Sequence, residues 1–330
     1  MIVTTDWHLT DRVEDLYRWD IFNTLQDIMK RTRDNRLLML GDITDRKDRH
    51  SAALVNKMTE HLVELDADIT ILMGNHDMPL RGAPYWEFLN RLMGVHGKEI
   101  AFVTTPQKYE GAWLLPFSPD PVADWAKLDF RGCKAAFMHQ TVDGSIGNNG
   151  HVLKSSNMFV FPRSIKIYSG DVHVPQVVGR VTYVGAPHPI DFGDNYECRV
   201  LRLSPIDYTI IESIPVRSML KPVLTVTSVG DLMRNQDLQS GDQVKLRFML
   251  SVNDIELWPT MQAHIKKWAE ERGVQVSSVE TLIHSKQATS LPDAALSDPA
   301  MIIRNFAAAE SLDDNMLNAG LAILEKEVGT

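Results

Sequence analysis

The first half of the chain alternates between short apolar runs and longer amphipathic stretches. Runs of four or five mainly apolar residues are typical of buried strands. Between the first three runs, stretches 19–33 and 51–65 place apolar residues at helical spacing. The order strand, helix, strand, helix, strand predicts βαβ crossovers and a mostly parallel sheet with helices on its faces. The five predicted strands are 2–5, 37–40, 69–73, 135–138 and 165–169.

After residue 173 the pattern changes. Residues 198–203 alternate between apolar and polar side chains, as a half-exposed strand does. Residues 181–184 form another apolar run, which ends at the turn 185–187. We predict that both segments are strands of a second sheet.

Beyond a boundary at residues 215–222 the pattern predicts a small α/β unit. The unit is too small to be a second enzyme. Its predicted elements are strand 223–226, a helix around 229–233, strand 243–252, helix 259–272 and strand 274–279.

The last part of the chain predicts a linker and two helices. The polar stretch 285–297 contains Pro292 and is typical of a linker. Pro299 lies in the first turn of one predicted helix, and Ser311 with Asp314 resembles a capping box for the next.

Composition is that of an ordinary soluble globular protein with room for about two domains. The chain has 330 residues, of which 44% are hydrophobic and 23% charged. No apolar run approaches the roughly 18 residues of a membrane span, and the amino terminus does not resemble a signal peptide. We therefore expect a cytosolic protein.

The two cysteines, Cys133 and Cys198, lack the spacing of a zinc ribbon or a disulfide framework, and we expect both to be buried thiols. Seven histidines lie away from the predicted strand ends and are expected to be surface or core residues. They are His50, His61, His96, His151, His188, His264 and His284.

Clusters of acidic, amide and histidine residues follow the predicted strands. Such side chains would lie on loops at the carboxyl ends of a sheet, where open α/β proteins bind their ligands. We expect these clusters to converge on one site. They are Asp6-Trp7-His8, Gly41-Asp42 with Asp45-Arg46, Gly74-Asn75-His76-Asp77, His139, and Gly170-Asp171-Val172-His173.

The residue types are those that bind hard divalent cations. Two such ions about 3.5–4 Å apart can stabilise both the attacking and the leaving oxygen of a phosphoryl displacement. A bridging carboxylate is then expected, and Asp42 is the best candidate. Asn75 suits a ligand role because its neutral carbonyl oxygen adds no negative charge beside the phosphate. One ion would be held by Asp6, His8 and His173, and the other by Asn75, His139 and Asp171.

His76 is left free to act on the leaving group. We expect the two cations to activate a shared water for in-line attack while His76 stabilises or protonates the leaving oxygen. Asp45 or Asp77 would orient the imidazole of His76. The alternative for Asp77 is a helix cap.

The clusters resemble the motif series of the calcineurin-like metallophosphoesterase superfamily, which reads Asp-x-His, Gly-Asp-x-x-Asp, Gly-Asn-His-Asp, His and Gly-His-x-His. One position departs, because Asp171 stands where the family has the first histidine of the last motif. A carboxylate still binds manganese or magnesium, so the change is expected to alter the metal preference. The alternative is a crippled second metal site.

The layout is similar to the SbcD and meiotic-recombination-eleven nuclease subunits, especially the short phage-encoded forms. The segments Tyr183-Val184-Gly185-Ala186-Pro187 and Asp191-Phe192-Gly193-Asp194 are similar to two further elements of that family. The resemblance implies an α/β fold of the α+β sandwich type, with four layers and two mixed β-sheets flanked by helices. It also implies a small α/β cap and a C-terminal helix pair.

The resemblance implies that the chain consists of two domains, a linker and a helical segment. Residues 1–217 would form the metallophosphoesterase (nuclease) domain and residues 218–284 the capping domain. Residues 285–297 would be the linker, and residues 298–330 the helical segment that binds an ATPase.

The activity that the resemblance implies is that of a DNA nuclease, an exonuclease on duplex ends, a single-strand endonuclease, or both. It would use two divalent ions, Mn²⁺ with Mg²⁺ as the alternative. Its partners would be DNA, an SbcC-type ABC ATPase of DNA repair and recombination, and a second copy of the chain in a homodimer. No membrane partner is expected, and the location would be the cytoplasm of a bacterium or of a phage-infected host cell.

The ATPase would bind an apolar face of the terminal helices. The alternative is that these helices fold back on their own core. The residues of the predicted face are Ile302, Ile303, Phe306, Leu312, Leu317, Leu321 and Leu324.

The net charge of −9 provides no general attraction to DNA. Residues 290–330 carry seven acidic and two basic residues, so this tail contributes −5 and the rest of the chain only −4. Basic residues do follow the second and third clusters, and we predict that they contact DNA; the alternative for residues 46–49 is a solvated face. They are Arg46, Lys47, Arg49 and Arg81.

Two rival functions share these residues. A phosphoesterase for small phosphodiesters or phosphoproteins would use the same metal ligands, but would not need the cap and the helical tail. The other rival is a weakly catalytic accessory binding subunit, in which Asp171 has weakened the site.

Overall fold

The computed structural model describes residues 1–79, 83–91, 98–155, 159–235, 237–251, 256–283, 299–309, 316–318 and 321. No helix in these ranges is long and apolar enough to cross a membrane. The chain divides into two compact units. The first contains the described residues of Met1–Leu224, Gln236–Lys245 and Ala269–Ser278, and the second those of Thr225–Asn235, Leu246–Trp268 and Val279–Thr330.

The first sheet has six strands. They are β1 (Ile2–Thr4), β2 (Arg36–Met39), β3 (Asp68–Leu72), β4 (Ile100–Val103), β11 (Arg199–Leu203) and β12 (Ile210–Pro215). Their order is β12, β11, β1, β2, β3, β4. Strands β1 to β4 run parallel, and β11 pairs antiparallel with both β1 and β12.

The second sheet also has six strands. They are β5 (Gln107–Tyr109), β6 (Ala112–Leu115), β7 (Ala135–His139), β8 (Lys166–Gly170), β9 (Gln176–Val178) and β10 (Val181–Tyr183). Their order is β5, β6, β7, β8, β10, β9, with antiparallel pairs only at the two edges. Both sheets are therefore mixed, which confirms the predicted fold class.

Two predictions about sheet membership are wrong. The segment 198–203, expected in the second sheet, forms β11 beside β1 in the first. The predicted strands 135–138 and 165–169, expected to continue the first sheet, form β7 and β8 of the second. Both sheets contain parallel strands, so the apolar pattern of one strand does not show which sheet it joins.

Alternation along the strands shows how the layers pack. In β2, Leu37 and Met39 face the core shared with the helices, whereas Leu38 faces a second core. That second core also contains Phe137 and Tyr168 of the second sheet, so the two sheets pack face to face. A third core, which includes Trp125, covers the outer face of the second sheet.

The crossover helices are those predicted, with small shifts at their ends. Helix α1 (Ile21–Thr32) follows a 3-10 helix at Val13–Asp20, and α2 (Ala52–Glu64) begins after Ser51. The Ser51 side chain accepts a hydrogen bond from the Leu54 amide at 3.0 Å and so caps α2. The short helix α3 (Pro121–Trp125) precedes β7.

The later elements also follow the prediction. The third sheet contains β13 (Val223–Val226), β14 (Gln243–Leu250) and β15 (Gln275–Ile283) in that order. Helix α4 (Val229–Arg234) follows β13, and α5 (Trp258–Arg272) follows β14. The domain boundaries at residues 217 and 284 stay predictions.

Helix α6 (Pro299–Ala309) begins at the expected proline. On the predicted apolar face Phe306 is exposed, and Ile303, Leu317 and Leu321 are half-buried. The side chain of Ile302, the residues Leu312 and Leu324, the capping box and the linker 285–297 lie outside the described residues.

The cysteines match the prediction only in part. Cys198 is buried at the start of β11, but Cys133 is half-buried just before β7. Neither is in a disulfide.

Candidate metal centre

The predicted ligands come from the ends of strands in both sheets. Asp6 and His8 follow β1, and Asp42 follows β2. On the opposite sheet His139 is the last residue of β7, and Asp171 follows β8 directly. The carboxyl ends of the parallel strands therefore meet in one place, as expected, although two sheets contribute instead of one.

Three groups of side chains offer ligand atoms that all lie within 4.8 Å of one another. Each group contains a carboxylate and at least one imidazole, and neighbouring groups share members. The groups are Asp6, His8 and His173; His8, Asp42 and His76; and Asp6, Asp42 and His139.

Asp42 lies in the middle of these groups. Its Oδ2 is 3.5 Å from His8 Nε2, and its Oδ1 is 3.4 Å from His139 Nε2. The same Oδ1 accepts a hydrogen bond from the backbone amide of His76 at 2.8 Å. A carboxylate with one oxygen toward each of two imidazoles has the position that the predicted bridge requires.

The first predicted ion site is formed by Asp6, His8 and His173. The Nε2 atoms of the two histidines lie 3.2 Å apart. Asp6 Oδ1 accepts from the Asp171 amide at 3.2 Å, whereas the buried Oδ2 has no hydrogen-bond partner among the described residues. The Asn148 side-chain amide lies 3.1 Å from His173 Nδ1 and holds that ring from behind.

The second predicted ion site is formed by His139, Asn75 and Asp171. His139 Nδ1 donates to the Leu40 carbonyl at 2.5 Å, which leaves Nε2 facing the site. This Nε2 is 3.2 Å from Asn75 Oδ1 and 3.7 Å from Asp171 Oδ1. Thr141 donates a hydrogen bond to the other oxygen of Asp171.

The backbone at the site is held in an uncommon conformation. Seven non-glycine residues in the described ranges have positive φ, and four of these are predicted ligands. Such conformations cost of order 1–3 kcal/mol each and persist only where the surroundings enforce them. The four ligands are Asp6 (φ 52°), His8 (φ 44°), Asp42 (φ 58°) and Asp171 (φ 77°).

Two glycines allow the loops to approach closely. A Cβ on Gly74 would lie 2.2 Å from Asp42 Oδ1 and 2.5 Å from the Asp42 amide nitrogen. A Cβ on Gly41 would lie 2.5 Å from His139 Nδ1. All three distances are shorter than any carbon contact, so these positions of the motifs require glycine for space.

Asp77 has a different role from the one predicted. Its carboxylate accepts three backbone hydrogen bonds, from the amides of Asp42, Ile43 and Gly74, at 2.7–3.1 Å. Asp77 therefore fixes the loop that carries the bridging carboxylate and does not orient the imidazole of His76. It caps no described helix. Burial, and then the neighbouring carboxylate of Asp42, raise its pKa to about 7.

Asp45 contacts His76 through its backbone and not through its side chain. His76 Nδ1 donates to the Asp45 carbonyl at 2.8 Å, which leaves Nε2 free. The Asp45 carboxylate instead pairs with Arg12 at 3.0 Å and lies 4.0 Å from His8 Nδ1. The contact of Asp45 with His76 is thus made by a backbone carbonyl, a group that sequence patterns do not show.

The family model of the calcineurin-like phosphoesterases matches residues 1–174, just over half of the chain and all of the candidate ligands. The chain belongs to the calcineurin-like phosphoesterase family. This membership makes it a phosphoester hydrolase that uses divalent metal ions.

Comparison with other proteins adds little to this phosphoesterase assignment. No curated protein matches the chain in sequence. Among solved structures it is similar to a crystal structure of the Pseudomonas putida nuclease MPE, with 15% sequence identity and a TM-score of 0.30. The match covers 55% of this chain and 65% of that nuclease chain.

The residues present fit the metal ions of a phosphoesterase. The buried Asp6 Oδ2 has no hydrogen-bond partner among the described residues, and a cation would supply the partner that a buried carboxylate oxygen needs. His139 Nε2 faces the oxygens of Asn75 and Asp42 while its Nδ1 is committed to a carbonyl. Such a convergence of acceptor atoms is typical of cation sites.

The two buried histidines of the phosphoesterase site, His8 and His139, have pKa values that are shifted in opposite directions. Burial lowers the pKa of His8 well below its usual value, because burial together with the smaller contributions of the His173 and His76 imidazoles outweighs Asp42, which raises this pKa. Burial would lower the pKa of His139 too, but the carboxylates of Asp42, Asp6 and Asp171 outweigh it and raise this pKa well above the usual value.

Burial raises the pKa of Asp6 to about 6. In contrast, three imidazoles hold the pKa of Asp42 well below its usual value despite burial. Asp42 is thus ionised at neutral pH, as a bridging ligand should be.

Sequence analysis missed several side chains that support the site. Thr141, Asn148 and Arg18 contact predicted ligands but lie outside the motifs. Thr141 lies two residues after His139, and closeness to a ligand in the sequence is the only signal that it offered. Arg18 lies in the 3-10 helix, and its sequence context does not show that it is buried.

The predicted DNA-contacting residues can be placed in part. Arg46 and Arg49 are exposed and Lys47 is half-buried on the loop that leaves the site, and none of the three forms an ion pair with a described residue. Arg81 lies outside the described residues.

Of the other histidines, His188 is buried and donates through Nε2 to the Trp7 carbonyl at 2.7 Å. Burial lowers its pKa to about 3. His61 and His50 are half-buried, whereas His151 and His264 are exposed. None of these five belongs to the ligand groups above, and His96 and His284 lie outside the described residues.

Proposed function

We propose that this phosphoesterase is a DNA nuclease that depends on two metal ions, and that it is the nuclease subunit of an SbcCD-like repair or recombination complex. The position of Asp42 carries the hydrolytic part of the proposal. Its two oxygens face His8 and His139, which belong to the two halves of the predicted ligand set. Asp6, His8 and His173 would hold one ion, and Asn75, His139 and Asp171 the other.

Two divalent cations, when bound there, supply the positive charge that holds a scissile phosphodiester and activates a water for in-line attack. The protein orients this chemistry through Asp77, which fixes the Asp42 loop by three hydrogen bonds. Manganese is the proposed ion, because the donor set mixes carboxylate oxygens with imidazole nitrogens.

His76 is the proposed acid for the leaving oxygen. Since a carbonyl only accepts, the contact with Asp45 fixes a proton on Nδ1 and leaves Nε2 as the atom that exchanges a proton with the substrate. The ring lies against His8 at a centroid distance of 4.7 Å, so it is beside the ligand groups.

The choice of DNA as substrate is supported by the basic residues of the loop at residues 46–49. Arg46 and Arg49 are exposed and form no ion pair with a described residue, so they are available to phosphates, and their contribution would compensate locally for the net charge of −9. The segment follows the Asp42 motif directly and so leaves the site at its rim.

The assay that tests this proposal compares three substrates with Mn²⁺: linear duplex DNA, single-stranded DNA and bis(p-nitrophenyl) phosphate. The wild type should digest DNA. Asp42→Ala should lose at least about a thousandfold in rate on every substrate, because both ion sites lose a shared ligand. Asp27→Ala, which changes an exposed carboxylate of α1, is the matched control and should keep full activity.

Two results would contradict the proposal. Hydrolysis of the small diester with no digestion of either DNA would favour the rival phosphoesterase for small substrates. Mn²⁺-dependent DNA digestion that survives Asp42→Ala would mean that another protein in the preparation is responsible.

The ATPase part of the proposal is supported by α6, where Phe306 is exposed and Ile303 half-buried. An apolar helix face of this kind fits a groove in a helical partner. Deleting residues 298–330 should abolish co-purification with a co-expressed SbcC-type ATPase and leave hydrolysis of the small diester intact. Unchanged co-purification would exclude these helices as the binding segment.

A further inference from the structure

A buried network of charged side chains lies beneath the candidate metal centre. Asp15 and Lys221 form an ion pair in which Lys221 Nζ is 2.6 Å from Asp15 Oδ1. Arg18 Nη2 is 3.3 Å from the same oxygen, and Arg12 Nη2 is 2.9 Å from Asp15 Oδ2. Asp15, Arg18 and Lys221 are each at most 4% exposed, so the network is an interior feature.

Charges at this depth are costly unless they are paired. Burial would raise the pKa of Asp15, but its contacts with Lys221, Arg18 and Arg12 outweigh burial and lower it, so Asp15 stays ionised. The fold keeps four charged groups together here, three of them buried, where apolar side chains could stand. This indicates that the four groups have a positional role. The contacts of these four side chains indicate which residues they position.

Lys221 joins the network from beyond the predicted domain boundary at residue 217. Its ammonium lies 5.2 Å from the centre of the Tyr17 ring and 5.1 Å from that of Phe192. Two aromatic faces and a carboxylate therefore fix its position, and each favours a cation. Nearby, Gln243 donates to the Glu14 carbonyl at 2.5 Å, which is a second tie to the same 3-10 helix.

Arg18 connects this pair to a predicted ligand. Its Nη1 donates to the His8 carbonyl at 2.7 Å, and its Nη2 donates to the Ile190 carbonyl at 3.0 Å. His8 has a φ of 44°, a conformation that its surroundings must enforce. The hydrogen bond from Arg18 to the carbonyl of this residue is one of the contacts that enforce it.

Arg12 connects the pair to the proposed catalytic histidine. Arg12 Nη2 is 2.9 Å from Asp15 and 3.0 Å from the carboxylate of Asp45. The carbonyl of that same Asp45 accepts from His76 Nδ1. The two routes from Asp15 therefore end at His8 and at His76, whose rings contact each other.

We propose that Asp15 and Lys221 are positioning residues, which set the places of His8 and His76 through Arg18 and Arg12. The segment after residue 217 is then part of the apparatus that aligns the catalytic histidine. This inference rests on the proposed function, since it assigns His76 a part in cleavage. A catalytic group displaced by a small fraction of its contact distance loses much of its effect, so the contribution of the pair should be measurable.

The test uses Asp15→Asn and Lys221→Met in the full chain, with Lys221→Arg as the conservative variant. Partners that orient active-site groups typically contribute about 10- to 100-fold. We expect kcat for DNA cleavage with Mn²⁺ to fall by about this factor in Asp15→Asn and Lys221→Met, with KM changed less than about threefold. Lys221→Arg should restore kcat to within about threefold of the wild type, because it keeps the charge.

The matched control is Asp34→Asn. Asp34 also joins two cations across the first unit, with Arg202 Nε at 2.8 Å and the Met1 amino group at 2.8 Å, but none of its partners contacts a predicted ligand. This variant should lower the unfolding temperature to a similar extent and leave kcat unchanged. A loss of kcat that merely follows loss of stability would then appear in the control as well.

A second readout is independent of turnover. The electron paramagnetic resonance spectrum of bound Mn²⁺ should change in Asp15→Asn and not in Asp34→Asn, because only the former alters the backbone of His8. If the wild type hydrolyses no phosphodiester, the proposed function fails and the Mn²⁺ spectra alone decide this inference. Folded Asp15→Asn and Lys221→Met variants with wild-type kcat and wild-type spectra would overturn it.

Discussion

The candidate ligands on the loops after β1 and β2 share an uncommon backbone conformation, whereas the second sheet brings only one residue in such a conformation to the metal centre. Asp6, His8 and Asp42 all have positive φ on the loops after β1 and β2. On the second sheet only Asp171 does, and it is held by Thr141, as His173 is by Asn148. We infer that the first-sheet loops tolerate change poorly and that the second-sheet side chains can be exchanged to adjust metal preference.

The largest effect is expected on the first-sheet side, at His76. His76→Ala should lower kcat by about 100- to 10,000-fold, the usual contribution of a general acid, while Mn²⁺ binding persists through the other ligands. The measurements are cleavage of linear duplex DNA, whose leaving oxygen needs a proton, and Mn²⁺ titration. His151→Ala, at an exposed position, is the control. DNA cleavage at the wild-type rate would remove His76 from the mechanism.

The next effect concerns the support of the first-sheet loop by His188, which donates to the Trp7 carbonyl. Its pKa of about 3 in the folded chain lies below the ordinary value of about 6.5, so the unfolded state binds the extra proton as the pH falls below 6.5. His188 should therefore destabilise the fold on acidification. The loss in the free energy of unfolding between pH 6.5 and 4 is on the order of 3 kcal/mol.

His188→Asn should remove this part of the pH dependence, because the amide still donates to the carbonyl but does not titrate. Urea unfolding at several pH values measures how the free energy of unfolding depends on pH. His151→Asn is the control and should retain the wild-type slope. Equal slopes in wild type and His188→Asn would mean that His188 is not held neutral by the fold.

A third prediction concerns the place where the two sheets meet. A Cβ on Gly170 would lie 2.2 Å from Thr5 Oγ1 and 2.6 Å from the Leu40 carbonyl oxygen, so Gly170→Ala must push the sheets apart locally. We expect a loss of about 1–3 kcal/mol in the free energy of unfolding, as for other overpacked sites, and weaker Mn²⁺ binding. Gly147→Ala is the control, since its nearest neighbour would be at 3.4 Å. Equal effects would mean that the sheets do not meet closely at Gly170.

The smallest effect is expected on the second-sheet side. Asp171→His restores the usual family residue and should raise the ratio of activity with Mn²⁺ to activity with Mg²⁺ by about tenfold, because imidazole suits transition metals and carboxylate suits Mg²⁺. Thr141→Ala, which removes the hydrogen bond but keeps the carboxylate, should shift the ratio less. An unchanged ratio in Asp171→His would show that metal preference is decided elsewhere.

The strand ends could be predicted from the sequence because a ligand after an apolar run is a local feature. Asp6, Asp42 and His139 were each identified in this way, and the structure brings them together. The assignment of β11 to the first sheet could not be predicted, since it depends on a pairing between residues about 200 positions apart. Local patterns do not contain such information.

The supporting contacts of the site were the hardest to predict. Asp77 was expected to orient an imidazole, but its partners are three backbone amides that only the folded loop brings together. The partner of His76 is a carbonyl, which every residue carries. The buried position of Arg18 depends on tertiary packing and has no signature in its neighbours.

The place of β1 between β11 and β2 has a consequence for synthesis on the ribosome. The strand that leads to Asp6 is made about 200 residues before its neighbour Arg199–Leu203, whose Leu203 amide donates to the Met1 carbonyl at 2.9 Å, so it has no neighbour on that side in the meantime. At about 5–20 residues per second, translation of the residues between the two strands takes roughly 10–40 s. A polypeptide terminated before Arg199 would contain every candidate ligand without the strand that completes the sheet around Asp6, so an incomplete product is not expected to become an unregulated hydrolase.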